Sequence, residues 1–256
     1  MFSTQLIILC LASFSAGFVD SIVGGGGLIQ LPALILALPG VPLVTVLGTN
    51  KMVSVTGTAI SSWRFSRTIP YVRAVLFPAM LTAFVASFLG AWTVSVLDNQ
   101  ILKPIFTVLL FGIFLLTIRK QNFGMEDHDP NVHVPIWKPL LLGGVIGFYD
   151  GFFGPGTGSL LIIAFVGMMS MTFVQGSAYA KMINLTTNVA AILLFVSKGA
   201  FLINVALPLM IFNVLGAILG VRLALLKGNT FVRGLLRVMI FATIVKLGYE
   251  VWRDYL

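Results

Sequence analysis

The sequence has few of the side chains that carry out chemistry in soluble proteins. Among 256 residues there are one cysteine, two histidines and only 9% charged residues. The single Cys10 offers neither an intrachain disulfide nor a cysteine metal site. Both histidines, His128 and His133, lie in one hydrophilic stretch beside acidic residues, without the spacing of metal ligands. We therefore expect a solvated loop there, no metal site and no cofactor.

What the sequence has in abundance is apolar residues. They make up 58% of the chain, and the mean hydropathy is +1.04. Several apolar runs reach about 20 residues, the length that crosses a hydrocarbon core of about 30 Å as a helix. The net charge is +8, but lysines and arginines stand at the ends of apolar runs, where they set membrane topology. These features predict an all-α integral membrane protein in contact with the lipid bilayer, with no nucleic-acid partner.

The first apolar run is interrupted by four consecutive glycines in the stretch GFVDSIVGGGGLIQLP, residues 17–32. We expect one helix from about Gln5 to Val23, a break at the glycines, and a short helix from Leu28 to Leu38. About eleven residues cannot span a bilayer, so the second piece is predicted to be a half-helix. No strand pattern precedes the glycines and no Lys-Ser/Thr pair follows them, which argues against a nucleotide-binding loop. No lysine or arginine precedes the run, which argues against a removable signal peptide.

The same pattern returns 130 residues later as GFYDGFFGPGTGSLLI, residues 147–162. A register maintained over most of the chain indicates an internal duplication. The copies differ where GGGG becomes GPGT, so they are not chemically identical. The matching pairs near the breaks are Gly17 and Gly147, Phe18 and Phe148, Asp20 and Asp150, Gly24 and Gly154, Gly26 and Gly156; farther on they are Lys51 and Lys181, Met52 and Met182, and Thr56 and Thr186.

The duplication defines the predicted organisation. Residues 1–118 form a first membrane repeat, 119–138 a hydrophilic linker, and 139–256 a second membrane repeat, all within one membrane domain. Each repeat is expected to hold a broken, re-entrant helix pair and three transmembrane helices, which in the first repeat cover about 43–63, 74–97 and 101–118. The distribution of lysine and arginine favours pseudo-symmetric repeats of inverted orientation, with both termini outside the cell.

The residues quoted above resemble the sulfite exporter TauE/SafE family of membrane transporters. The resemblance rests on GFVDSIVGGGGL and TNK in the first half and on GFYDGFFGPGTGS and YAKMINLTTN in the second, and it covers nearly the whole chain. It implies secondary transport of a small sulfur-containing anion such as sulfite or an organosulfonate, in most cases outward across the bacterial cytoplasmic membrane. It does not assign a role to any one residue.

Two lysines within apolar segments, Lys51 and Lys181, are the predicted centre of an anion site. A lysine at the centre of a membrane helix costs about 2.5–3.5 kcal/mol, so neither is expected to face lipid. Helical spacing adds polar groups to each lysine, and helix N-termini at the breaks favour anions. The alternative is that each lysine reaches a membrane surface or pairs with an aspartate as a structural bridge. The other predicted substrate-binding residues are Thr49, Asn50, Ser54, Thr58, Asn184, Asn188, Gly25, Gly26, Gly27, Gly156, Thr157 and Gly158.

Asp20 and Asp150 stand about one helical turn before the two breaks. An unpaired carboxylate in the membrane costs several kcal/mol, so each must be protonated or satisfied by nearby donors. Two roles remain open: a cap that accepts N–H groups near Gly26 or Gly156, and a proton carrier that couples anion movement to the proton gradient.

Other functional classes are weaker predictions. An enzyme would need a nucleophile with a base, or metal ligands, and the apolar segments offer neither. An anion channel remains an alternative, since broken helices also line pores, and so does a transporter of another small anion such as a carboxylate. The glycines could also serve only close helix packing, as in a structural membrane protein. The oligomeric state, including a homo-oligomer, stays open.

Overall fold

The computed structural model describes residues 2–98 and 134–255 and is helical throughout these two ranges, apart from short connections. The predicted helix 101–118 and the linker up to residue 133, with both histidines, lie outside the described residues. The last two linker positions, 137 and 138, are helical. The described helices are α1 (Phe2–Val23), α2 (Gly27–Ala37), α3 (Leu43–Ser66), α4 (Arg73–Val96), α5 (Trp137–Phe152), α6 (Thr157–Met169), α7 (Phe173–Ser197) and α8 (Ile203–Tyr255).

Four of these helices are long and apolar enough to cross a membrane: α1, α4, α7 and the first part of α8. Their outward faces carry large apolar side chains, including Ile7, Leu81 and Ile211, each more than half exposed. A face of this kind suits contact with lipid tails. Helix α3 is as long as α4, but the polar residues around Lys51 make it less apolar. Helix α8 bends at Gly228, where φ is 66° and ψ is −158°.

Helices α1 and α2 form a hairpin that folds back on itself, as the four glycines predict. A buried polar cluster of Ser13, Gln30 and Asn213 holds α2 in an antiparallel course against α1. The Nδ2 of Asn213 donates to the backbone oxygen of Ser13 (3.2 Å) and to Oε1 of Gln30 (3.1 Å). Gln30 therefore lies beside the middle of α1, and the break at residues 24–26 forms the tip of the hairpin.

Helices α5 and α6 form a second hairpin with its tip at residues 153–156. The ammonium of Lys138, at the start of α5, donates to the backbone oxygen of Met168 at the end of α6 (3.0 Å). A lysine at this position also interacts favourably with the negative end of the α6 dipole. The two ends of this hairpin therefore lie together, and its tip lies deep in the helix bundle.

The two hairpins enter the bundle from opposite ends. Helices α3 and α7 run antiparallel through the middle, because Ser62 donates to the backbone oxygen of Lys181 (2.8 Å) and Thr49 accepts from the N–H of Leu202, just after α7. Hairpin α1–α2 opens toward the end where α3 begins. Helix α5 begins where α4 begins, since Gly143 packs on Ala79, so hairpin α5–α6 opens toward the other end. The two tips meet inside the protein.

Candidate functional site

The hairpin tips and the middles of α3 and α7 surround a cavity of about 30 Å³. A single water needs roughly 10–15 Å³ of such space, so the cavity holds more than one water molecule. Its walls are polar, although four apolar helices surround the region. The lining residues are Asp20, Gly24, Gly27, Asn50, Lys51, Ser54, Thr58, Asp150, Gly154, Gly158, Asn184 and Asn188.

The two tips touch through backbone at Gly24 and Gly158. The N–H of Ser159 donates to the oxygen of Gly24 (3.2 Å), and the hydroxyl of Ser159 donates to the oxygen of Val23 (2.8 Å). A Cβ added to Gly24 would lie 2.2 Å from Cα of Gly158, and Gly24 also has a φ of +74°. Only glycine adopts this positive φ without strain and leaves room for the neighbouring backbone. A glycine is therefore required at this position of the helix break.

Both half-helices begin at the cavity. Gly27 is the first residue of α2, and Gly158 is the second residue of α6. The first N–H groups of a helix have no intrahelical acceptor, and the helix dipole places partial positive charge there. Two such ends at one polar cavity favour a bound anion.

Lys51 contacts Asp150 across the cavity. Its Nζ lies 2.9 Å from Oδ2 of Asp150, and both side chains are at most 5% exposed. The contact is an ion pair without hydrogen-bond geometry, because Oδ2 of Asp150 has no hydrogen-bond partner among the described residues. Lys51 instead donates to Oδ1 of Asn188 (3.1 Å). The amide of Asn188 in turn donates to the hydroxyl of Thr58 (3.4 Å), whose own proton goes to the backbone oxygen of Ser54.

Lys181 contacts Asp20 in a tighter arrangement. Its Nζ donates to Oδ2 of Asp20 at 2.8 Å, and the lysine side chain has no exposed surface. The other carboxylate oxygen of Asp20 accepts a long hydrogen bond from the N–H of Gly26 (3.4 Å). Asp20 is therefore held by a lysine on one side and by the hairpin tip on the other.

The ion pairs are exchanged between the halves of the chain: each lysine contacts the aspartate of the other half. Counted as charged groups, the two lysines and two aspartates sum to zero. Such pairs agree with the alternative in which each lysine forms a structural bridge with an aspartate. They also mean that a ligand anion near Lys51 meets a lysine that already has a partner.

Two buried carboxamide oxygens at the cavity have no hydrogen-bond donor among the described residues. They are Oδ1 of Asn50 and Oδ1 of Asn184. Most buried polar atoms in proteins have a partner, so these two require a donor from water or from a ligand. The cavity thus offers free acceptors beside its ammonium and hydroxyl donors.

Most predicted site residues lie together at the cavity. Ten of them line it: Lys51, Asn50, Ser54, Thr58, Asn184, Asn188, Gly27, Gly158, Asp20 and Asp150. Six do not: Lys181, Thr49, Gly25, Gly26, Gly156 and Thr157.

The residues outside the lining set have other contacts. Thr49 accepts from the backbone of Leu202, and Thr157 donates to the oxygen of Gly154 (2.6 Å). Gly156 begins α6 with a φ of +82°. Two further lining residues, Gly24 and Gly154, are absent from the predicted site. Their equivalence at an interval of 130 residues is the sequence feature that could have identified them.

The described part of the chain holds no group of three or more histidine, cysteine, aspartate or glutamate side chains that could bind a metal ion.

Comparison with known proteins identifies relatives over nearly the full length of the chain. The family model of the sulfite exporter TauE/SafE matches residues 9–247. A "Probable membrane transporter protein" of Haemophilus influenzae is 34% identical over 245 residues, which cover 96% of this chain and 95% of that protein. A "Probable membrane transporter protein ORF9" of a Sinorhizobium species is 36% identical, over 94% of this chain and 92% of its own. The "Probable membrane transporter protein YfcA" of Escherichia coli K12 is 32% identical, over 95% and 89%.

No solved structure matches the chain. The family match and the relatives nevertheless agree with the apolar helices and the polar central cavity of the fold. This chain therefore belongs to the sulfite exporter TauE/SafE family and is a multi-pass membrane transporter.

Proposed function

We propose that this transporter exports a small sulfur-containing anion, such as sulfite or an organosulfonate, across the bacterial cytoplasmic membrane. The anion binds in the central cavity. The observation that carries this proposal is that the first turns of both half-helices line the same cavity as Lys51. The name of the family model supports the substrate class and the direction of transport.

The donors at the cavity suit a small oxyanion. Lys51 supplies a compact positive charge, and the hydroxyl of Ser54 follows it on the same face of α3. Backbone N–H groups at Gly27 and Gly158 add donors that carry no full charge. A tetrahedral sulfonate or a pyramidal sulfite has three oxygens that can accept from such a set.

We also propose that the halves are inverted, pseudo-symmetric repeats. Opposed hairpins, contacting tips and exchanged ion pairs support this arrangement. Thr58 and Asn188, which are equivalent positions in the two halves, hydrogen-bond to each other. Residues that meet their own counterparts lie at a two-fold axis. Discontinuous helices at matching places in two repeats are typical of secondary transporters.

The size of the cavity favours a carrier over a channel. Among the described residues, a space of about 30 Å³ has room for only a few water molecules, which suits a binding site better than an open pore. Transport through it requires the halves to move, as in alternating access.

A thermal-shift screen of the purified protein tests the substrate class. We expect sulfite and methanesulfonate to raise the unfolding temperature, because a ligand that binds only the folded state stabilises it, by about 2.7 kcal/mol at 100 times its Kd. Sulfate and acetate are the comparison anions. A shift with acetate and none with either sulfur anion would favour the carboxylate alternative. Flux against a gradient in proteoliposomes then separates a carrier from a channel.

A further inference from the structure

We infer that an anion bound at Lys51 displaces the carboxylate of Asp150, which then takes up one proton. This inference rests on the proposed anion transport and adds the ion to which binding is coupled. In the step, the ammonium of Lys51 exchanges its contact with Asp150 for a contact with an oxygen of the anion. The carboxylate takes up one proton from the bulk solution, where the buffer supplies it, and becomes a neutral acid. The added anion and the added proton cancel, so the net charge of the site does not change.

Charge balance gives the first reason. The four ionisable groups that the structure describes around the cavity sum to zero without a ligand, so an added anion leaves one uncompensated negative charge inside the membrane. A buried charge without a partner costs several kcal/mol. The side chain of Asp150 is only 5% exposed, against 22% for Asp20. Water therefore compensates Asp150 less than it compensates Asp20.

The contacts of the two aspartates give the second reason. Asp20 is fixed by a hydrogen bond from Lys181 and by the N–H of Gly26. Asp150 contacts Lys51 without hydrogen-bond geometry. Lys51 lines the cavity, whereas Lys181 does not. The aspartate paired with the lysine that an entering anion meets is therefore Asp150, which in the described part of the chain lacks the second hydrogen bond that holds Asp20.

The free acceptors give the third reason. A protonated carboxyl group is a hydrogen-bond donor and needs an acceptor when buried. Oδ1 of Asn50 and Oδ1 of Asn184 line the same cavity as Asp150 and have no donor among the described residues. An ionised Asp150 cannot donate to them, whereas a protonated Asp150 can.

Among the residues that the structure describes, the other elements around Asp150 supply no second charge that could replace the proton. Helix α4 carries Arg73 only at its first residue, and α6 has no charged side chain. Helix α7 carries Lys181, which is engaged by Asp20. On α5 itself, Tyr149 precedes Asp150 and donates to the backbone oxygen of Pro155, and Lys138 lies at the far end.

Calorimetric titration of the full-length protein with methanesulfonate tests the inference. A sulfonate stays a monoanion over the accessible pH range, so any proton taken up belongs to the protein. Titrations in two buffers with different ionisation enthalpies give the number of protons bound. We expect uptake of about one proton for each anion. By linkage, the affinity should then rise as the pH is lowered, by about tenfold per pH unit where one whole proton is taken up.

Two variants at equivalent positions identify the residue. Asp150→Asn should abolish proton uptake and remove the pH dependence of binding, and it should bind methanesulfonate more tightly because the competing carboxylate is gone. Asp20→Asn is the matched control and should still take up a proton. Binding to the wild type without proton uptake, or uptake that survives in Asp150→Asn, would overturn the inference while leaving the proposed function intact. Absence of binding to the wild type would contradict the organosulfonate proposal itself. If Asp150→Asn does not fold, the proton count of Asp20→Asn decides the question: uptake that persists there supports Asp150, and uptake that is lost overturns the inference.

Discussion

The Nζ atom of Lys181 lies 2.8 Å from Oδ2 of Asp20, although the two residues are 161 positions apart in the chain. In the equivalent pair, the Nζ atom of Lys51 lies 2.9 Å from Oδ2 of Asp150. The two pairs nevertheless differ in surroundings: Lys51 faces the cavity, and Lys181 is enclosed by protein. Their removal should therefore have different consequences.

We predict that Lys181→Met lowers the stability of the protein more than it lowers anion affinity. The substitution leaves Asp20 with no cation at a partly buried site, and breaking a buried pair costs about 3–5 kcal/mol. The double variant Lys181→Met, Asp20→Asn should recover most of the loss, because no uncompensated charge remains. Thermal unfolding in detergent measures the stability of the single and the double variant. Equal stability of the single variant and the wild type would show that the pair contributes nothing.

Lys51→Met leaves Asp150 unpaired, so it is predicted to lose stability as Lys181→Met does. In addition it should bind sulfite or methanesulfonate about 10–100-fold more weakly, since a hydrogen bond to a charged group is worth about 1.5–3 kcal/mol. The thermal shift caused by these anions is the measurement. Lys138→Met is the matched control, because the ammonium of Lys138 also donates a hydrogen bond within the protein, but to Met168, away from the cavity. Unchanged affinity in a folded Lys51→Met would exclude this lysine from the site.

Gly24→Ala should separate the two hairpin tips. The added methyl group would lie 2.2 Å from Cα of Gly158, so the backbone must move, and overpacking of this kind costs about 1–3 kcal/mol. Gly40→Ala controls for the backbone conformation, because Gly40 also has a positive φ, of +84°, but has open space around its Cα. We expect a clearly lower unfolding temperature for Gly24→Ala than for Gly40→Ala. Similar values would mean that the contact between tips is not tight.

Single cysteines test the proposed orientation of the repeats. In a Cys10→Ser background, Thr68→Cys lies in the exposed connection between α3 and α4, and Lys198→Cys lies at the exposed end of α7. The arginines around Thr68 predict a cytoplasmic location, and the antiparallel course of α3 and α7 puts Lys198 on the other side. A membrane-impermeant thiol reagent added to whole cells should therefore label only Lys198→Cys. Labelling of Thr68→Cys alone would mean that the protein has the opposite orientation in the membrane.

The helix breaks were predictable from the sequence because their cause is local. Glycine runs interrupt a helix wherever they stand, and the predicted end at Val23 and the half-helix from Leu28 agree with the structure to within one residue. The common face of Lys51, Ser54 and Thr58 also follows from the helical period, and all three residues line the cavity.

The exchange of ion pairs between halves was not predictable in the same way. Each lysine has an aspartate within its own half at the same sequence separation, so the pairing depends on how the hairpins pack. The difference between Lys51 and Lys181 has the same origin, since the local sequences around them are alike. Thr49 stands beside Lys51 in the sequence, yet its hydroxyl accepts from the backbone of Leu202, a contact set by the position of α8.

The polar cluster of Ser13, Gln30 and Asn213 has no counterpart in the other half. The positions 130 residues away hold Gly143, Leu160 and Ala83, which cannot form its hydrogen bonds. If two inverted halves exchange shapes to open opposite sides of a membrane, identical halves would make the two open forms equal in free energy. The two hydrogen bonds join Asn213 of the second half to the first hairpin, and the second hairpin has no equivalent pair among the described residues. Their loss in one open form would remove that equality by about 1 kcal/mol in total, or about fivefold in population. Under the proposed inverted arrangement, we therefore expect the protein to prefer one of its two open forms at rest.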